Sequence, residues 1–294
     1  MPKPESAAEL DGSRRVPKPE WLKVRIASGA EFNQIRNTLR SSGLHTVCEE
    51  AKCPNIAECW KSKTATFLIL GSTCTRHCAF CAVQSAKKGQ ALDAKEPQKI
   101  AGAIKKFGLR YAVLTSVDRD DLPDFGAAHF AECIKAAKAA GAKVEALIPD
   151  FQGNLDCLQK IVNAKPAVIG HNIEVVERLQ HTARDARASY EQSLNILRNA
   201  KKLNKKIFTK SSIMLGLGET REEVLRAMDE LIAAKVDFLT LGQYLQPNKQ
   251  CPPVVDFIEP KKFGELKEIA LGKGFKQVVA APLARSSYKA AELF

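Results

Sequence analysis

The sequence predicts an α/β protein, a partial (β/α)6 TIM-type barrel of about six parallel strands, with N-terminal and C-terminal extensions covering its open face. Two observations carry that prediction. From Thr64 onward, short β-branched runs alternate with helical periods about six times, the pattern of βαβ units. Polar or turn-forming pairs also recur where those runs stop: Ser72 and Thr73, Thr115 and Ser116, Pro149 and Asp150, Asn172 and Glu174, Gln243 and Tyr244. The carboxyl ends of the strands are where a β/α barrel carries its active site.

Residues 1–17 read as a disordered polar tail, because Pro2, Pro4 and Pro17 break any helix and apolar residues are sparse. Residues 18–63 form an N-terminal extension. Within it, EFNQIRNTLRSSG (31–43) has the period of a short amphipathic helix that Gly43 stops. Further on, Pro54 and the spacing Cys48-x4-Cys53-x5-Cys59 place three thiols on a loop, since those intervals do not share one helical face. The barrel spans 64–274. Candidate strands lie at 64–72, 110–117, 143–150, 167–174, 207–216, 237–244 and 275–281, and helical periods at 127–141, 189–204 and 220–235. The last segment, 275–294, closes the open face.

Hydrophobic content of 45% and charged content of 27% over 294 residues are ordinary for a soluble globular protein. No apolar run approaches the ~20 residues of a membrane helix. The start has no apolar h-region and carries Glu5, Glu9 and Asp11, which argues against a secretory signal or transit peptide. Nine cysteines in a chain of this length point to metal binding in a reducing cytoplasm, not to a disulfide framework. The net charge of +12 is spread over lysine pairs such as Lys87-Lys88 and Lys261-Lys262. It suits a nucleic acid or an acidic protein partner, although any single pair reads as a solvated helix face.

The triplet Cys74-x3-Cys78-x2-Cys81 falls directly after the first barrel strand, on the loop that opens onto the active face. Three thiolates can hold three irons of a four-iron cluster and leave the fourth iron open. Zinc wants four ligands, typically in two C-x2-C pairs, and His77 between two cysteines is poorly placed to reach the same metal. Low-potential ferredoxins use C-x2-C-x2-C with a distant fourth cysteine. With Phe80 in the aromatic position, the motif resembles the signature of radical S-adenosylmethionine enzymes. That resemblance implies a 4Fe-4S cluster on Cys74, Cys78 and Cys81, with S-adenosyl-L-methionine chelated at the open iron and cleaved to a 5′-deoxyadenosyl radical.

Beside that motif, CEEAKCPNIAECW (48–60) makes the chain resemble the lipoyl synthase family over residues 21–290, nearly its whole length. LTSVDRDDLPD (114–124), EALIPDF (145–151), GHNIEVVERL (170–179), TKSSIMLGLGET (209–220), LTLGQYLQP (239–247) and ARSSYKA (284–290) stand in the family's order. The resemblance implies radical-mediated insertion of two sulfur atoms, at C6 and C8 of a protein-bound octanoyl group. It implies two 4Fe-4S clusters, with Cys48, Cys53 and Cys59 binding an auxiliary cluster that is consumed as the sulfur source. A serine of Arg285-Ser286-Ser287-Tyr288 would be its fourth ligand, and a hard oxygen ligand suits a cluster meant to come apart. Neighbouring residues of an extended segment point opposite ways, so one serine reaches iron, Ser287 with Ser286 as its rival.

By strand-end position and resemblance together, Thr115 and Ser116 would hold the methionine amine, and Asn172 and Glu174 would contact ribose or methionine groups. Gly216, Gly218 and Glu219 would approach the adenosyl group. Expected partners are octanoylated lipoyl-carrier proteins, a ferredoxin or flavodoxin as electron donor, and an iron–sulfur carrier that rebuilds the auxiliary cluster, with no nucleic acid or membrane. Several residues depart from the family pattern: Ala82, Phe125, Ser212, Cys251 and Ala281. None is a ligand, and Cys251 is expected near the mouth of the substrate tunnel. Cys133 and Cys157 lie in apolar helical patterns and read as core. His45, His129, His171 and His181 show no ligand spacing. Radical enzymes that methylthiolate tRNA also carry two clusters, but their auxiliary cysteines occupy a separate N-terminal domain, and only 47 residues precede Cys48. A simple electron-transfer protein would need no strand-end polar residues.

Overall fold

The computed structural model describes residues 18–23, 33, 36, 37, 39, 41–50, 53, 55–62, 64–288 and 290. The expected tail at 1–17 lies outside them. Of the helix expected at 31–43, the described residues 33, 36, 37, 39 and 41 are helical.

One sheet organises the chain. Its strands are β1 (His45–Thr46), β2 (Thr64–Ile69), β5 (Tyr111–Ser116), β6 (Lys143–Leu147), β7 (Val168–Gly170), β8 (Phe208–Leu215), β9 (Phe238–Gln243) and β10 (Gln277–Ala281), ordered β1-β2-β5-β6-β7-β8-β9-β10. Every pair is parallel except β1 with β2. The order runs from one edge to the other without closing, so the barrel is partial, as the alternation predicts. It has seven parallel strands where about six were expected. The seventh, β10, falls within 275–294, the stretch read as a closing segment. A separate two-stranded sheet pairs β3 (Thr73–Cys74) with β4 (Gln84–Ser85).

Helices pack behind the strands at Glu96–Phe107, Ala127–Ala139, Leu155–Asn163, Tyr190–Leu203, Arg221–Ala233 and Pro260–Lys273. Local chemistry sets their ends. Asn154 accepts from the backbone N–H groups of Asp156 and Cys157, and Thr220 with Glu223 forms a capping box. Gly108 and Gly274 end their helices in the left-handed conformation. The strand faces differ by parity. Ala112 and Leu114 join the main core with the helices, whereas Tyr111 and Val113 face inward and pack with Ala290, the last described residue. Cys133 and Cys157 are 0% and 2% exposed and sit in the main core, as their helical patterns imply.

The concave side is polar at its base. Lys210 Nζ lies 3.0 Å from Glu145 Oε1, and Tyr111 Oη donates to Glu145 Oε2 at 3.0 Å. This buried triad joins β5, β6 and β8, and all its charge is paired. Among the described residues, no helix is long and apolar enough to cross a membrane.

Candidate active site

β2 leads into the second cysteine triplet through two left-handed residues, Leu70 (φ 67°) and Gly71 (φ 92°). A bulky leucine there is strained, and neighbours hold it on both sides. Glu96 Oε2 accepts the Leu70 N–H at 3.1 Å, and Arg119 donates to its carbonyl at 3.0 Å. His129 Nε2 lies 2.7 Å from the same Glu96 oxygen. Among the described residues, Glu96, His129 and Cys133 alone bring three potential ligand atoms within 4.8 Å of one another. Their hydrogen bonds show that the group clamps this turn.

The Cys74, Cys78 and Cys81 sulfurs are not gathered that closely. All nine cysteines are free thiols. Backbone N–H groups point at two of the sulfurs: Arg76 N donates to Cys74 Sγ and Asp185 N to Cys78 Sγ, each at 3.4 Å. Burial first, then the nearby Asp118 carboxylate, pushes the Cys74 thiol up to about 11, and burial pushes Cys78 up to about 12. Such thiols ionise only when a metal takes the charge.

The loop between these cysteines is fastened to the strand ends. Arg76, 3% exposed, donates from Nε and Nη2 to Asp120 at 2.8 and 2.9 Å, and from Nη1 and Nη2 to Asp150 at 2.8 and 2.7 Å. Arg187 donates to the Thr75 carbonyl at 2.7 Å, and Asp185 accepts the His77 N–H at 2.8 Å. These ties escaped the sequence reading.

Around the loop lie the other strand-end residues. Ser116 Oγ is buried with no hydrogen-bond partner, an orphan hydroxyl at the end of β5. Thr115, on the opposite parity, is buried. Asn172 Nδ2 donates to Glu174 Oε1 at 3.1 Å, and Glu174 holds a left-handed φ of 67°. Burial raises the Glu174 carboxyl, and its charge is felt at Cys81. Gly216 and Gly218 both have positive φ. At Gly216 a Cβ would strike Gln243 Nε2 at 2.1 Å and the Asp256 carbonyl at 2.5 Å, so the protein's own β9 and following loop fill that space. Glu219 spends its carboxylate on the N–H groups of Gly216 and Leu217. Cys251 is buried with its Sγ 3.8 Å from the Cys81 carbonyl oxygen, beside the second triplet.

The first triplet is not a loop, as the spacing suggested. Cys48 lies in the helix Val47–Glu50 and Cys59 in the helix Ile56–Lys61, with Cys53 between them. Two short helices satisfy the same intervals that one helix cannot. Cys48 is pushed up to about 11 by burial and by Cys53, and hydrogen bonding from Thr66 of β2 opposes that rise. The C-terminal segment docks here. Asn55 Nδ2 donates to the Leu283 carbonyl at 2.6 Å, Tyr288 Oη donates to the Glu58 carboxylate at 3.1 Å, and Cys53 interacts with Arg285. Arg285 to Tyr288 is a turn, closed by Tyr288 N donating to Arg285 O at 2.8 Å, and not an extended run. The alternation used to separate Ser287 from Ser286 therefore does not apply to it.

Residues 68–231 match the radical SAM superfamily and residues 4–53 the N-terminal domain of lipoyl synthase of that family. The chain is 51% identical to a lipoyl synthase of Caldicellulosiruptor bescii, over 93% of this chain and 94% of that one, and 49% identical to one of Methanocella arvoryzae, over 95% of each. The chain belongs to the lipoyl synthase family. Among solved structures, the hydrogenase maturase HydG superposes with a TM-score of 0.59 over 84% of this chain and 66% of that one, at 12% identity. Methylornithine synthase gives 0.54 over 84% and 81%, at 15% identity. These two share the fold. Membership of the superfamily implies one 4Fe-4S cluster and S-adenosylmethionine. Cys74, Cys78 and Cys81 fit that cluster: the thiols are free and two of them receive backbone N–H groups.

Two predictions follow from the geometry. In Gly242→Ala the new Cβ would lie 2.2 Å from the Ala284 carbonyl oxygen, so 282–288 must lift from β9. Trypsin cleavage after Arg285 should speed up, while Gly264→Ala, with open space around it, should leave it unchanged. His171, buried between Ile148 O and Ser193 Oγ, is depressed by burial from 6.5 to about 4. The unfolded chain thus binds a proton that the fold refuses. This contribution to stability is full above pH 6.5 and falls by roughly 3 kcal/mol as pH drops to about 4. Urea unfolding across that range should show His171→Asn lacking this part of the slope.

Proposed function

We propose that this lipoyl synthase family member inserts two sulfur atoms, at C6 and C8 of a protein-bound octanoyl group, using two cluster sites of different purpose. Cys74, Cys78 and Cys81 hold the cluster that binds S-adenosylmethionine. Cys48, Cys53 and Cys59 hold an auxiliary cluster that gives up its sulfur, with Ser287 as fourth ligand and Ser286 as the alternative. The observation that carries this reading is the docking of Leu283 and Tyr288 onto Asn55 and Glu58, which supports a serine hydroxyl beside the buried Cys48 and the half-buried Cys53 and Cys59.

When bound, the first cluster and S-adenosylmethionine supply a radical able to take hydrogen from an unactivated C–H bond. The chain's own residues do the rest. At the end of β5, Thr115 shares the inward parity of Tyr111 and Val113 and is suited to a methionine amine, with the unpartnered Ser116 hydroxyl beside it in sequence. Glu174, steadied by Asn172, presents a carboxylate near Cys81 to ribose or amine groups. Glu219 acts through its loop, keeping the Gly216–Gly218 backbone in shape for the adenosyl group. Buried strand-end residues keep water from the reacting carbons.

The substrate is an octanoylated lipoyl-carrier protein in the cytoplasm, with a ferredoxin or flavodoxin as reductant and an iron–sulfur carrier to rebuild the auxiliary cluster. The net charge of +12 supports acidic partners of this kind.

Anaerobic reconstitution should give about eight irons per chain, falling to about four in a Cys48→Ala/Cys53→Ala/Cys59→Ala variant. That variant should still cleave S-adenosylmethionine but form no sulfur-bearing product by mass spectrometry. A variant that retains about eight irons would overturn the two-cluster assignment. Raising ionic strength from about 0.01 to about 0.15 M shortens the screening length from roughly 30 to 8 Å. Turnover on a carrier protein should slow far more than on a short octanoyl-lysine peptide, and equal slowing would dismiss charge-guided docking.

A further inference from the structure

We propose that Arg76 is the positioning residue of the second cysteine triplet: bound to Asp120 and Asp150, it holds the Cys74–Cys81 loop against the strand ends, in the shape a cluster on those thiols would need to take S-adenosylmethionine. The inference rests on the cluster assignment for Cys74, Cys78 and Cys81 and deepens it.

Arg76 is unusual in its place. It lies between two of the three cysteines, yet its guanidinium is 2% exposed and reaches residues 44 and 74 positions away. Asp120 follows β5 and Asp150 follows β6, so one side chain joins the cysteine loop to two strand ends. Four hydrogen bonds of 2.7–2.9 Å form two forks. The remaining direction, from Nη1, faces Asp118 Oδ1 at 3.5 Å. Only a planar guanidinium can meet two carboxylates this way, because a lysine ammonium is a point charge with three donors.

The partners are themselves fixed. Gln152 Nε2 donates to Asp120 at 2.9 Å and Gln192 Nε2 to Asp150 at 2.6 Å. Asp120 N also donates to Thr75 Oγ1 at 2.9 Å. The frame is therefore rigid, and the arginine takes its position from it. That position passes directly to a ligand, since the Arg76 N–H donates to Cys74 Sγ. Hydrogen bonds to cluster sulfurs set reduction potential, so a shift of this backbone would be read in the cluster and not only in stability. If Arg76 merely neutralised two buried carboxylates, lysine would serve as well.

Arg76→Lys, Arg76→Gln and Asp150→Asn test the idea after anaerobic reconstitution. Iron content, the electron paramagnetic resonance spectrum of the reduced protein and its response to S-adenosylmethionine are measured on each. We expect Arg76→Lys to keep its irons at both triplets but to bind S-adenosylmethionine roughly tenfold or more weakly, about the worth of one charge-assisted hydrogen bond. Its spectral response to S-adenosylmethionine should be altered as well. Asp150→Asn, which weakens one fork, should shift both readouts the same way, and it carries the test should Arg76→Gln not fold. Iron retained at the first triplet in the same samples distinguishes local change from global unfolding. An Arg76→Lys protein with wild-type affinity and spectrum overturns the role of Arg76. A wild-type protein without any S-adenosylmethionine-sensitive cluster would instead overturn the assignment beneath it.

Discussion

Backbone pairing along both edges of β2 is the constraint from which the site follows. On one edge β2 takes β5 in parallel register, Thr64 to Tyr111 through Ile69 to Ser116, and so begins the barrel. On the other it takes β1 antiparallel, His45 with Leu68 and Thr46 with Phe67. The N-terminal extension is thereby tied to the strand that also launches the second cysteine loop. Cys48 comes to rest near Thr66, and Cys74 follows the carboxyl end of the same strand. A single strand thus fixes where both groups of thiols begin.

The surroundings of the thiols explain how such a site stays inert until it is loaded. Burial raises every cysteine of the two triplets whose shift is resolved, and it outweighs Arg285 at Cys53 and Arg184 at Cys78. Neutral thiols are poor nucleophiles. Close by, Asp118 is itself raised to about 6 by burial. Charge would accumulate on these thiols only where a metal balances it.

Much of this was legible in the sequence, and the failures have physical reasons. All seven candidate runs became strands, because β-branched residues bounded by turn formers give a strong local signal. The second triplet announced itself through spacing alone. By contrast, nothing local distinguishes a wrapped loop from the two short helices that carry Cys48 and Cys59, and the turn at Arg285 to Tyr288 depends on docking against Asn55 and Glu58. Arg76 was passed over because its partners are distant in sequence, and ion pairs over such separations leave no periodic trace. At Gly216 the absent side chain also makes way for Gln243 and the Asp256 carbonyl, a packing need that nothing local in the sequence announces.

The contact between Asn55 and the Leu283 carbonyl spans 228 residues, and this has a consequence for biosynthesis. At about 5–20 residues per second, a ribosome needs roughly 10–45 s to travel that distance. Throughout that interval the nascent chain displays Cys48, Cys53 and Cys59 without the segment that covers them. A truncated translation product, however well its barrel folds, would therefore leave these three sulfhydryls unguarded.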